Sequence, residues 1–294
     1  MRARVAGRAS PSRRSRRAPE LAGLAWLAPM LLVFGVFYAV PLARMVFTSI
    51  DGMHFNLRHY AYLWGEESYA AVLWITLKIS VYVTLTTLVV GYPIAYYLAR
   101  LRGLALTIGI ALVLLPFWTS VLVRNYAFYV LLARRGVVNS ILLGTGLIHD
   151  PLPLLFNTTS VVIGMSYVLM PFMVLSIYAV ARDIEPVYLK ASSSLGASPF
   201  ATFWRIFFPL SLHGVYAGML LVFITALGFF ITPALLGGGR VPMIAVLIET
   251  QVRGVLNFGV GSALGTMLLV AVLLLYYVFD RVLGVQSLLG RSSA

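Results

Sequence analysis

Residue types able to carry covalent chemistry are scarce in this sequence and stand apart from one another. There is no cysteine, which excludes disulfides, thiolate metal sites and cysteine nucleophiles. The four histidines (His54, His59, His149, His213) occur without metal-ligand spacing. Neither Gly-x-Ser-x-Gly nor His-Glu-x-x-His is present. A phosphate-cradling loop sets its lysine after glycine, but both lysines, Lys78 and Lys190, follow leucine. No nucleotide site is therefore encoded, and any ATP hydrolysis falls to another chain. The nine acids lie in loops or near the ends of apolar runs, not at the membrane depths where proton- and sodium-coupled carriers place carboxylates.

The segment with the densest structural signals starts at Asp183 and reads DIEPVYLKASSSLGASPFATFWRIFFPLS. Glu185-Pro186 predicts a helix start, with proline tolerated in the first turn and an acid favoured near the helix N-terminus. Gly196 suits a left-handed close to that helix. Ser198-Pro199 predicts the cap and first residue of a second short helix. The expectation is a helix–turn–helix projecting from the membrane, with Phe200, Phe203 and Trp204 available for packing.

The elements that position this segment are membrane spans. Of 294 residues 61% are hydrophobic and 11% charged, and mean hydropathy is +0.93. A soluble domain carries about 25% charged residues, so a water-soluble enzyme is excluded. Six spans are predicted, at about 21–46, 71–98, 104–123, 159–180, 210–235 and 259–279. Prolines 29, 41, 93, 116, 171 and 233 fall within them, as membrane helices tolerate when neighbours satisfy the freed backbone groups. The first run is too long for a signal-peptide core, and reads as a retained helix. The long segment 124–157 is expected to hold two short helical pieces, 125–132 and 137–147, at the interface or dipping back into the bundle.

The net charge of +13 is distributed as an orienting signal, with no nucleic-acid patch implied. Fourteen of the 22 basic residues fall on the side of the termini, seven of them in the first seventeen positions. By the positive-inside rule both termini are cytoplasmic. The expected organisation is a basic cytoplasmic tail (1–20), a membrane domain (21–280) with its cytoplasmic loop at 182–209, and a cytoplasmic C-terminal tail (281–294). Gly214-x-x-x-Gly218 and Gly261-x-x-x-Gly265 have the spacing that lets membrane helices approach closely, and structural packing is the expected role.

The loop spacing resembles the EAA loop of binding-protein-dependent ABC importer permeases: Glu-Ala-Ala, three residues, Gly, nine residues, Ile-x-Leu-Pro. Ala191, Gly196, Ile206 and Pro209 match, while Lys190, Ser192 and Phe208 replace the glutamate, second alanine and leucine. Residues 91–100 (GYPIAYYLAR), 116–120 (PFWTS), 122–126 (LVRNY) and 232–238 (TPALLGG) look like the spermidine/putrescine-type subfamily. The resemblance implies an all-α type I (MetI-like) permease with a cytoplasmic coupling helix, in a bacterial inner membrane. It also implies two copies of a separate ATPase carrying ATP and Mg, a second related permease, and a periplasmic or extracellular substrate-binding protein. This chain would itself bind no cofactor or metal and catalyse no reaction. By position, Glu185, Tyr188, Lys190, Ala191, Ser192, Leu195 and Gly196 would form the ATPase-coupling surface, framed by Ile206 and Pro209. Lys190 removes the anion that would otherwise pair with the ATPase.

A path for a polar or cationic, polyamine-like solute needs aromatic or hydroxyl faces. Tyr96, Trp118, Thr119, Tyr126, Tyr167, Thr225, Phe229 and Thr232 are the candidates. Each has a plain structural reading too, since tyrosine and tryptophan form interfacial belts and threonine bonds its own helix. The competing function is a self-sufficient secondary transporter or channel, which would require no ATPase.

Overall fold

The computed structural model describes residues 27, 29–51, 56–65 and 67–283, and these are helical throughout with short connections. The expected N-terminal tail (1–20), the start of the first span and residues 284–294 of the expected C-terminal tail (281–294) lie outside them. An unbroken apolar run without glycine until position 91 makes α3 (Glu67–Leu98) a single helix of 32 residues, and Pro93 lies inside it. Helix α1 (Pro29–Ser49) precedes it, with one π turn at Gly35–Ala39, and α2 (Arg58–Gly65) links the two.

The third apolar run departs from expectation. Instead of one helix over 104–123, α4 (Gly103–Trp118) stops and α5 (Val121–Leu132) begins after two extended residues. The Thr119 hydroxyl donates to the Pro116 carbonyl at 3.0 Å, satisfying an acceptor that the ending helix orphans. At about 1.5 Å per residue, the 16 residues of α4 cover roughly 24 Å, short of the ~30 Å hydrocarbon core. The third segment long and apolar enough to cross is instead Val121–Gly144, which begins with α5. Helix α6 (Val137–Gly144) follows a turn at 133–136, where Asn139 donates to the carbonyls of Ala133 and Leu152.

Helix α7 (Thr158–Ala181) starts in a capping box: Asn157 Oδ1 accepts from Ser160 N–H, and Ser160 Oγ accepts from Asn157 N–H. The loop helix α8 (Pro186–Ser194) then leads into α9 (Pro199–Leu227). The second loop helix is thus not a separate short element. It runs into the fifth span through a π turn at Phe203–Phe207. Pro209 supplies the reason: its ring would press on the carbonyl four residues back, and a wider i→i+5 turn carries that carbonyl aside. The same span ends earlier than expected, at Leu227, because Gly228 stops the helix before α10 (Ile231–Leu236). Helix α11 (Ile244–Glu249), extended by a π turn to Gly254, and α12 (Phe258–Leu283) complete the chain.

Among the described residues, six segments are long and apolar enough to span a bilayer. Three of them, α3, α7 and α9, form the core around Ile79, Val83, Leu169, Met173, Ile177, Val215 and Val222. Lipid is as apolar as leucine, so close approach rather than water exclusion must hold such helices together. A Cβ on Gly214 would lie 2.7 Å from the Ser176 carbonyl, and one on Gly218 2.8 Å from Met173 Sδ, so this glycine pair seats α9 on α7. Gly261 meets Val252 and Gly265 meets Met45, seating α12 within the same chain.

At the end away from the α8 loop, hydroxyls pin the short helices to long ones. Ser160 Oγ donates to the Leu236 carbonyl at 2.9 Å, and Thr76 Oγ1 accepts from Ile244 N–H at 2.9 Å.

Candidate coupling loop and translocation face

Local sequence builds the loop almost residue by residue. Pro186 occupies the first turn of α8, and Glu185 sits at its cap position without a side-chain bond. Gly196 closes the helix with φ +80, and Ala197 N–H reaches back to the Ser192 carbonyl at 3.1 Å. Ser198 Oγ then caps α9 by accepting from Ala201 N–H at 3.2 Å. Inside the turn, the Ser192 and Thr202 hydroxyls bond at 2.9 Å, both buried. A long side chain at either position would force the two arms apart.

The outer side of this turn is an open concavity of about 920 Å³. Tyr188, Ala191, Ser192, Leu195 and Gly196 line it from the expected surface, with Ile206 from the frame. Ala197, Ser198, Ala201 and Arg205 complete the lining and were not anticipated, although Ala201 and Arg205 are one turn apart on α9. Leu195 at the apex is 88% exposed. Lys190 and Glu185 are exposed on α8 outside the concavity, and Pro209 lies beyond it on α9.

The expected path residues do not form one lining. Thr119 and Phe229 share a cavity of about 480 Å³ between the two helix interruptions, where α4 gives way to α5 and α9 to α10. Arg124, buried in α5, lines the same cavity and donates from Nη1 to the Pro116 carbonyl at 2.7 Å. The sequence pattern begins the long segment 124–157 at Arg124, whereas the structure places this residue inside α5. The signal that could have found it is a lone basic residue inside an apolar run, just after a proline-linked interruption. Discontinuous helices meeting within the membrane are where transporters build solute sites.

Trp118 and Tyr126 flank that region and are largely exposed, Tyr126 stacking near Tyr129. Tyr167 packs edge-on against Phe128 and faces an adjoining apolar crevice with Met170 and Pro93. Thr225 donates to its own helix at Leu221, Thr232 is buried against Gly164, and Tyr96 sits at the loop end among Phe203 and Phe207.

The family match and the relatives make this all-helical chain an importer permease subunit. Residues 26–287 match the family described as binding-protein-dependent transport system inner membrane component, and the chain belongs to that family. It is 34% identical over 260 residues to the spermidine/putrescine transport system permease protein PotB of Haemophilus influenzae, covering 87% of each chain. The PotB of Escherichia coli is 35% identical over 233 residues, covering 79% of this chain and 84% of that protein. Among solved structures, a bacterial alginate ABC transporter in complex with a pentasaccharide-bound periplasmic protein contains a similar chain, with TM-score 0.74 and 17% identity over 90% of this chain and 94% of that one. The last likeness concerns the fold alone.

Proposed function

We propose that this chain forms half of a translocation path for a small cationic, polyamine-like solute and is driven by a separate ATPase pair. The exposed helix–turn–helix over 186–202 is the observation that carries this reading, because a solvated concavity on a membrane protein's loop suits a partner's docking. Its lining of small residues at Ala191, Ser192 and Gly196 admits close approach, and Leu195 offers an apolar anchor. ATP and Mg belong to the ATPase, and this chain catalyses nothing. A second, related permease completes the path, and a substrate-binding protein delivers the solute at the other face. The polyamine class follows the relatives, whose names specify spermidine and putrescine.

Excess basic residues on the side of the loop and termini support a cytoplasmic placement for all three. The chain then divides into the tails 1–20 and 281–294 and the inner-membrane unit 21–280. Coupling works by linkage: ATP and loaded binding protein both bias the equilibrium of one two-state bundle. Purification in mild detergent tests the reading. It predicts recovery of an ATPase and a second permease, with hydrolysis stimulated by spermidine-loaded binding protein. Gradient-driven uptake by the chain reconstituted alone would overturn it.

A further inference from the structure

The loop does more than continue into α9; it is also fastened sideways to α3. Tyr92 and Tyr96, one turn apart on the last turns of α3, face the π turn that joins the loop to the fifth span. The Tyr96 ring packs edge-on against Phe203 and Phe207, with centroids 5.2 and 4.7 Å away. Tyr92 meets Phe203 at 5.9 Å and Phe208 at 5.7 Å. A turn closed by i→i+5 brings residues four and five apart beneath one another, so Phe203, Phe207 and Phe208 share the face toward α3. A regular α-helical turn would keep Phe203 and Phe207 together but turn Phe208 about 100° away from Phe207.

A polar thread runs through the same joint. Ser211 Oγ is fully buried and donates to the Phe208 carbonyl at 2.9 Å, so the 2.7 Å contact with Tyr92 has the tyrosine O–H as donor. Behind the rings, the Arg100 guanidinium lies 4.0 Å from the Tyr96 centroid. On the loop side, Ser192–Thr202 fixes α8 to the residue just before the π turn. A continuous packed route therefore runs from α8 through Thr202, Phe203 and Phe207 to Tyr96 and Tyr92.

We infer that Tyr92 and Tyr96 are positioning residues that make α3 move with the loop, so that a push on α8 displaces α3 and α9 as one body. This deepens the proposed coupling role and rests on it. The route explains a chemical preference at these sites: rings give broad contact with few rotamers, and the Tyr92 hydroxyl fixes the axial register between two helices.

The test uses the complete importer in proteoliposomes, with spermidine as the probe solute. Tyr92→Phe, which deletes one oxygen, is expected to lower solute moved per ATP hydrolysed two- to fivefold. Tyr96→Leu is expected to lower it tenfold or more, and Tyr96→Phe to restore it to within twofold of the parent. Copurification of the ATPase stays intact in each. Unchanged ratios in assembled Tyr92→Phe and Tyr96→Leu complexes overturn the inference alone. A parent chain that recruits no ATPase overturns the proposed function and, with it, this inference.

A second measurement does not depend on those variants assembling. The chain has no cysteine, so Tyr97→Cys on α3 and Trp204→Cys on the π turn, outside the concavity, give one spin-label pair within the chain. The label distance is expected to stay constant to within about 2 Å between nucleotide-free and ATP-bound complexes. A larger change shows that α3 does not follow the loop and overturns the inference.

Discussion

The hydroxyls of Ser192 and Thr202, ten residues apart in sequence, bond at 2.9 Å and hold the two arms of the loop together. Each is the other's buried partner, so removing one leaves the remaining hydroxyl without a mate. An orphaned buried hydroxyl costs about 1–3 kcal/mol, whereas removing both partners is closer to neutral. Ser192→Ala and Thr202→Val should each speed hydrogen exchange over 186–202 several-fold, and the double variant should be milder than their sum. Additive effects would show that the pair is not coupled.

Gly196 has φ +80, and a Cβ there would meet nothing within 4 Å. Gly196→Ala therefore meets no clash and carries only the left-handed strain of a residue with a Cβ, about 1–2 kcal/mol, and should retain measurable transport. Gly196→Pro cannot adopt positive φ and also lacks the N–H that bonds Ser193. It should abolish uptake in cells lacking the native gene while membrane insertion, followed by immunoblot, is unchanged. Normal uptake by the proline variant would remove the turn from the coupling route.

Gly214 faces backbone, with a Cβ landing 2.7 Å from the Ser176 carbonyl and 2.9 Å from Ile177 Cα. Backbone cannot step aside as a side chain can. Gly214→Leu should destabilise by about 1–3 kcal/mol through overpacking and lower the recovered folded protein. Gly144→Leu, where a Cβ meets nothing, is the control and should be recovered normally. Equal recovery of both would contradict the close seating of α9 on α7.

Arg124 is 8% exposed, and its Nε has no hydrogen-bond partner among the described residues. Burying a charge costs several kcal/mol, while one charge-assisted bond to Pro116 returns about 1.5–3. The balance is unfavourable, so Arg124→Met should raise the thermal midpoint in detergent and lower transport. A reduced midpoint would instead identify the guanidinium as a net stabilising cap on α4.

What could be read from sequence was what local chemistry decides. Ser198-Pro199, Gly196 and Glu185-Pro186 specify their turns within four residues, and the structure has helix, turn and cap at those places. The third and fifth spans were misplaced because their interruptions, at 119–120 and 228–230, lie inside apolar stretches where hydropathy hardly changes. Residue type also failed to give direction. Tyr96 and Thr119 look equally suited to a path, yet one packs at the loop end and the other lines the cavity between the broken helices. The Tyr92–Ser211 bond joins residues 119 apart, and nothing near either one in sequence announces it.

Leu195 stands 88% uncovered at the apex of the turn, with Phe200 also exposed nearby. Such side chains are normal inside an assembly and a liability outside one. A chain made in excess of its partners would display a sticky knob on every copy, open to misassociation. On the proposed docking role, overproduction of this chain alone is expected to leave this pair uncovered on every copy.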